Sequence, residues 1–298
     1  MLTLEVTWRF GIGDYCERRT AMSSKKLAFF FLFAFVLLTL RPAFADPTPP
    51  QVYLQFDGMS DYVEVPDSAD FSISAGGGLT ASAWMRPDTL EFPRTDGCGY
   101  VHWLGKGQGS GVTGQQEWVF RMYRADATGC PGSRPTRISF YVFNLVGGRG
   151  CGVAFQDPLE VGQWLHVVGV ADDVNKMIHI YKNGTLRRSF FYGGTITPEH
   201  GLAPLRMGTR EGPVNPNASW FQGALGEVRI WSRALDEGEV SALHQSNIVP
   251  QNGLVAEYLL NDSRFVSGRS VEGFVSATWG SDSSPIISTA VGTTHSGC

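Results

Sequence analysis

The sequence predicts an all-β antiparallel sandwich or barrel, and three observations predict it. From Val52 onward apolar and polar side chains alternate with period two, the spacing that sends successive side chains to opposite faces of a strand. Clusters of Gly, Pro, Asn and Asp break this alternation every eight to fifteen residues. The chain holds 36 Gly and 16 Pro, with 12% aromatic and only 17% charged residues, a balance that favours strands and turns over helices.

The alternation places strands near 52–56, 62–65, 79–86, 101–105, 117–124, 136–143, 151–155, 164–171, 177–182, 187–191, 204–208, 221–231 and 254–260. Asn183-Gly184 follows the run Met177–Lys182 and supplies the two positive φ values of a type I′ hairpin turn. One short helix is expected from Asp236 to about His244. Asp236 is its cap, Glu239 completes a capping box, and Leu235 with Val240 forms the hydrophobic staple. Beyond residue 260 the chain is polar and rich in Ser and Gly, so residues 261–298 are expected to be irregular apart from Trp279 and Ile286-Ile287.

Near the N-terminus, Leu27–Leu40 is an unbroken apolar or small run, preceded by Lys25 and Lys26 and followed by Ala43-Phe44-Ala45. That is the layout of a secretory signal peptide cleaved after Ala45, and the run falls short of the ~20 residues a membrane-spanning helix needs. The basic region sits directly after Met22, which is therefore the expected start, with residues 1–21 an upstream extension. The expected organisation is an extension and signal over 1–45, a proline-rich lead over 46–51, one domain over 52–260 and a C-terminal segment over 261–298. The product is expected outside the cytoplasm, extracellular or periplasmic, without membrane insertion. A formal charge of −4 offers no basic field for nucleic acid.

Cleavage after Ala45 leaves Cys98, Cys130, Cys151 and Cys298, an even set that in an exported chain argues for two disulfides with three possible connectivities. The loops carrying Cys98 and Cys130 follow alternate strands and emerge at the same end of an antiparallel meander, which favours that pair. No C-x-x-C spacing suggests a zinc site.

Four segments resemble the laminin-G-like jelly rolls of the concanavalin A-like lectin and glucanase superfamily. They are Leu54–Gly58 continuing to Asp61–Pro66; Leu79–Pro87 with Lys106; Gly162–Val168 through Asp172 to Ile180–Gly184; and Phe221–Gly223 with Gly226–Leu235. The resemblance implies a two-sheet antiparallel jelly-roll sandwich with one short helix, and assigns Trp84, Trp164 and Trp231 to packing. It also implies calcium at strand ends, with Asp57 and Glu227 as ligands; otherwise Asp57 forms an Asx-turn and Glu227 pairs with Arg229 or Arg233.

Such jelly rolls serve different tasks, so fold alone does not decide function. The glucanase pattern of acidic residues at alternating strand positions is missing, and Asp172-Asp173 would point apart. A lyase would need a tyrosine or histidine base with a cation facing one groove; His179 with Tyr181, and Arg121 with Tyr123, are the pairs that share a strand face. A lectin needs an aromatic platform for the apolar sugar face, for which Trp103, Trp118, Tyr123, Tyr141 and Trp220 are candidates. The expectation is a secreted, non-catalytic lectin-like module for a polysaccharide or glycoprotein glycan. A polysaccharide lyase or hydrolase, and an adhesion or structural module, are the alternatives.

Overall fold

Thirteen strands follow the alternation from Val52 to Tyr258, each within two residues of its expected bounds. They are β1 (Val52–Asp57), β2 (Tyr62–Val65), β3 (Gly78–Pro87), β4 (Tyr100–Gly107), β5 (Gln116–Tyr123), β6 (Ile138–Val142), β7 (Cys151–Phe155), β8 (Leu165–Asp172), β9 (Met177–Lys182), β10 (Thr185–Phe191), β11 (Leu205–Met207), β12 (Gln222–Trp231) and β13 (Leu254–Tyr258). The computed structural model describes residues 47–108, 116–127, 132–145, 150–211, 215 and 218–259. It also describes the backbone of 267–270, 273–276, 278–280 and 286–289.

Of these last four segments the first two correct the expectation of an irregular C-terminus, and the other two hold Trp279 and Ile286-Ile287, the exceptions to it. All four are short strands, β14 (Ser267–Ser270), β15 (Gly273–Ser276), β16 (Thr278–Gly280) and β17 (Ile286–Thr289). Both sheets otherwise leave an edge open beside the first two strands, and an unpaired edge is a row of unsatisfied backbone groups. The tail fills both: Ile287 of β17 pairs with Leu54, and Trp279 of β16 pairs with Val63.

The strands form two antiparallel sheets. One has ten strands along the path β10-β9-β8-β3-β12-β13-β14-β15, with β1 on β12 and β17 on β1. The other has seven, in the order β16-β2-β11-β4-β5-β6-β7. Alternation decides what lies between them. On β5, Trp118, Phe120 and Met122 point inward with Ile138, Phe140 and Val142 of β6. They meet Ile178 and Ile180 of β9 and Val167 of β8 from the other sheet. Phe120 stacks against Trp103 at 4.7 Å and Phe140 at 4.9 Å between ring centroids. Gly169 gives these rings their room, since a Cβ there would lie 2.6 Å from Phe140 and 2.7 Å from Phe120.

The hairpin turn forms as expected, with Asn183 at φ 51° and Gly184 at φ 71°. The helix, α1 (Glu237–Ser246), carries the full capping box and ends at Asn247 in the left-handed region. Its Val240 and Leu243, with Leu235, pack on Val168, Val170, Tyr181 and Trp231 of the outer face of the ten-stranded sheet. Under its last turn His166 and His244 stack at 5.4 Å, with Trp84 tilted 5.2 Å from His166. Burial, with the neighbouring His244 and Arg229, lowers His166 to about 3.

Two predictions follow from this packing. Gly169→Val will overpack the aromatic rings and cost about 1–3 kcal/mol or more in denaturant unfolding. A histidine held neutral in the fold but free to protonate when unfolded stabilises fully above pH ~6.5 and loses that contribution as pH falls toward 3. Below pH 6 the wild type will therefore lose about 1.4 kcal/mol per pH unit through this residue. His166→Asn will remove that part of the slope, which unfolding curves at several pH values would measure.

Candidate functional site

The parity that buries Trp118, Phe120 and Met122 turns Arg121 and Tyr123 to the outer face of the seven-stranded sheet. The same rule turns Ser139 and Tyr141 on β6 and His102 on β4 toward that face, which register pairs with their neighbours: His102 opposite Arg121, Arg121 opposite Ser139, and Val119 opposite Tyr141. The result is a cluster of polar and aromatic side chains backed by a rigid core.

Arg121 is its centre. The guanidinium carbon lies 4.5 Å from the Tyr100 ring, 4.6 Å from Tyr141 and 5.5 Å from Phe143, all within cation–π range. Arg121 Nε donates to His102 Nε2 at 3.2 Å. That acceptor role leaves the proton on His102 Nδ1, which donates to Ser219 Oγ at 2.9 Å. Burial and the charges of Arg210 and Arg121 hold His102 well below the usual histidine range, so it stays uncharged. Ser139 is fully buried beside Arg121, and among the described residues its hydroxyl has no partner. Tyr141 lies over Gly152 of the next strand, where a Cβ would come within 2.5 Å of the ring.

Of the expected platform residues, only Tyr141 is open to a ligand. Trp103 and Trp118 are fully buried in the core; the Trp118 indole N–H is spent on Phe71 O at 2.7 Å. The alternation that made them candidates carries them inward. Trp220 is buried edge-on to Tyr62 at 6.1 Å. Tyr123 points outward but is covered, its hydroxyl accepting from Arg134 Nη1 at 3.0 Å.

The four lyase candidates do not come together. Arg121 and Tyr123 stand on the outer face of the seven-stranded sheet, whereas His179 and Tyr181 stand on the outer face of the other, across the sandwich core. Tyr181 is packed under α1, and burial with the nearby Glu237 and Asp236 pushes it up to about 12, away from a base at neutral pH. His179 Nδ1 bonds Ser189 Oγ at 2.7 Å.

Nor do Asp57 and Glu227 fit a shared calcium. Asp57 pairs with Gln222, five residues before Glu227 on β12, which separates the two by roughly 15 Å. Asp57 Oδ1 accepts from the N–H of Met59, Ser60 and Asp61 at 2.8–3.1 Å, an Asx-turn. Burial raises its pKa, but these bonds outweigh that and hold it below the usual carboxylate value. Glu227 sits on a bulge at φ 49° and pairs with Arg229 at 3.0 Å. Among the described residues no three His, Cys, Asp or Glu side chains gather as a metal site.

A second aromatic cluster, which sequence reasoning assigned in part to packing, lies on the ten-stranded sheet. Arg86 stands 4.8 Å from the Tyr53 ring and 5.2 Å from half-buried Trp164, but Asp88 neutralises it at 2.9 Å. Cys151 is a free thiol, while Cys130 and Cys298 lie outside the described residues.

The laminin-G profile, described as concanavalin A-like lectin/glucanases superfamily, matches residues 57–241. This chain belongs to that family. The laminin-G-like jelly roll is also similar to two solved structures. A native heptameric SAP-like pentraxin from Limulus polyphemus aligns at 16% identity and TM-score 0.50, over 77% of this chain and 94% of that one. A candidate carbohydrate-binding protein from Bacteroides ovatus aligns at 18% identity and TM-score 0.54, over 82% of this chain and 61% of that one. At such identities the likeness is one of fold. No curated protein matches the sequence significantly.

The Asx-turn gives a direct prediction. Asp57→Ala will cost about 1–2 kcal/mol of stability from lost hydrogen bonds, equally with chelator and with excess calcium. Thermal melts under both conditions would check it.

Proposed function

We propose that this laminin-G-like chain is an exported, lectin-like module that binds the glycan of a polysaccharide or glycoprotein without turning it over. The observation that carries the reading is Arg121, held among three aromatic rings on a rigid sheet face. A sugar offers an apolar C–H face and a fringe of polar groups, and a ring beside a fixed hydrogen-bond donor matches both. Sheet-borne residues hold such geometry better than loops do.

Chemistry beyond binding finds little support among these side chains. His102, the one imidazole in the cluster, is fully committed to Arg121 and Ser219. Burial pushes the Tyr100 and Tyr141 hydroxyls up, so neither favours the phenolate that a lyase base needs. The leader over residues 1–45 and a Cys98–Cys130 disulfide belong to the same reading. Among the described cysteines Cys151 is free and Cys98 is not.

A glycan and polysaccharide panel, read for binding and for new unsaturated or reducing ends, tests this. Binding without product is expected, weakened roughly tenfold by Tyr141→Ala with the fold intact. Product formation, or binding indifferent to Tyr141→Ala, would refute it.

A further inference from the structure

We propose that the Arg121 cluster takes an acidic sugar, whose carboxylate docks on the two η nitrogens of the guanidinium. The inference rests on the glycan-binding reading above and narrows it to a substrate class.

Arg121 is one of a few described arginines, with Arg94, Arg137 and Arg188, that have no carboxylate partner, and of these it alone is ringed by aromatic side chains on a sheet face. Arg86, Arg206, Arg210, Arg229 and Arg233 each sit within 3.0 Å of a carboxylate, as is usual in a chain with 28 acidic and 24 basic residues. Among the described residues Arg121 forms no ion pair, and its one hydrogen bond uses Nε. The neighbouring Arg137 also lacks a carboxylate, bonding only Gln156 at 2.9 and 3.1 Å. The nearby acids are engaged: Glu211 by Arg210 at 2.5 Å and by Asn215, and Asp96 by Gly97 N at 2.6 Å.

Orientation supports the same ligand. A guanidinium presents its N–H groups in a planar fork that matches a carboxylate bidentately. Here the ring contacts hold its faces and His102 holds Nε, leaving the η edge. Because His102 is a neutral acceptor, it aims the guanidinium without adding a competing charge. On the strand beside it, Ser139 keeps a buried hydroxyl with its bonding capacity unspent. A neutral sugar would use only part of this set.

The test is calorimetric titration of the full chain with uronate oligomers and sialyllactose, each beside its carboxyl-reduced counterpart, and with sulfated dextran oligomers. Reduction removes the charge and keeps the sugar, so it needs no variant protein. We expect reduced ligands to bind at least tenfold more weakly, in line with hydrogen bonds to a charged group. Arg121→Gln should abolish that difference, and Arg121→Lys should not restore it. Equal affinity for acidic and reduced ligands, or a difference that survives Arg121→Gln, overturns the proposal. If neutral glycans bind and Tyr141→Ala releases them while Arg121→Gln does not, the acidic class fails and the lectin reading stands. If sulfated dextran alone binds through Arg121, sulfate replaces carboxylate. If no glycan binds, both readings fall together.

Discussion

Everything on the outer faces of this sandwich is set by what the inner faces must hide. A strand has two sides and no third, so once Trp118, Phe120 and Met122 enter the core, Arg121 has nowhere else to go. A one-residue slip of β5 would bury its charge and expose three large apolar side chains. The cost of that slip fixes the register, and the register in turn fixes which residues of β4 and β6 flank the guanidinium. The cluster therefore inherits its geometry from hydrophobic burial.

A second constraint works at the other end of β5. Lys106 is fully buried, yet its ammonium meets Glu117, Asp67 at 2.8 Å and the carbonyl of Gly201 at 2.6 Å. Gly201 N in turn donates to Glu117 at 3.1 Å. Burying charges costs free energy that such pairing recovers only when every partner is in place, so the network favours one arrangement over near alternatives. It pins the segments around Asp67 and Gly201 to the sheet. On the outer face Ser219 does comparable work for its loop, accepting from the backbone and ring N–H of His102.

Most of the architecture was legible because period two is a strong local signal. The hairpin at Asn183-Gly184 and the capping box at Asp236 were readable for the same reason: each is dictated by a few adjacent residues. The tail strands were only partly so: Trp279 and Ile286-Ile287 stood out by their apolar side chains, but that they complete distant edges on β2 and β1 could not be read locally. The site was half legible. Arg121, Tyr123 and Tyr141 could be named from the sequence, but Tyr100, His102, Phe143 and Ser139 join them only through pairing between strands. Parity could have found His102, flanked by inward Val101 and Trp103, had the strand been read one residue at a time. Tryptophan misled, because its size suggests a platform while its burial on β4 and β5 serves the core.

The ring of Tyr141 rests where Gly152 has no side chain. Any methyl group at that position would lift the phenol off its seat and loosen its hold on the cation beside it. On the glycan-binding reading proposed above, selectivity on this face would be adjustable from a position that bears no functional group, through a single alanine on β7.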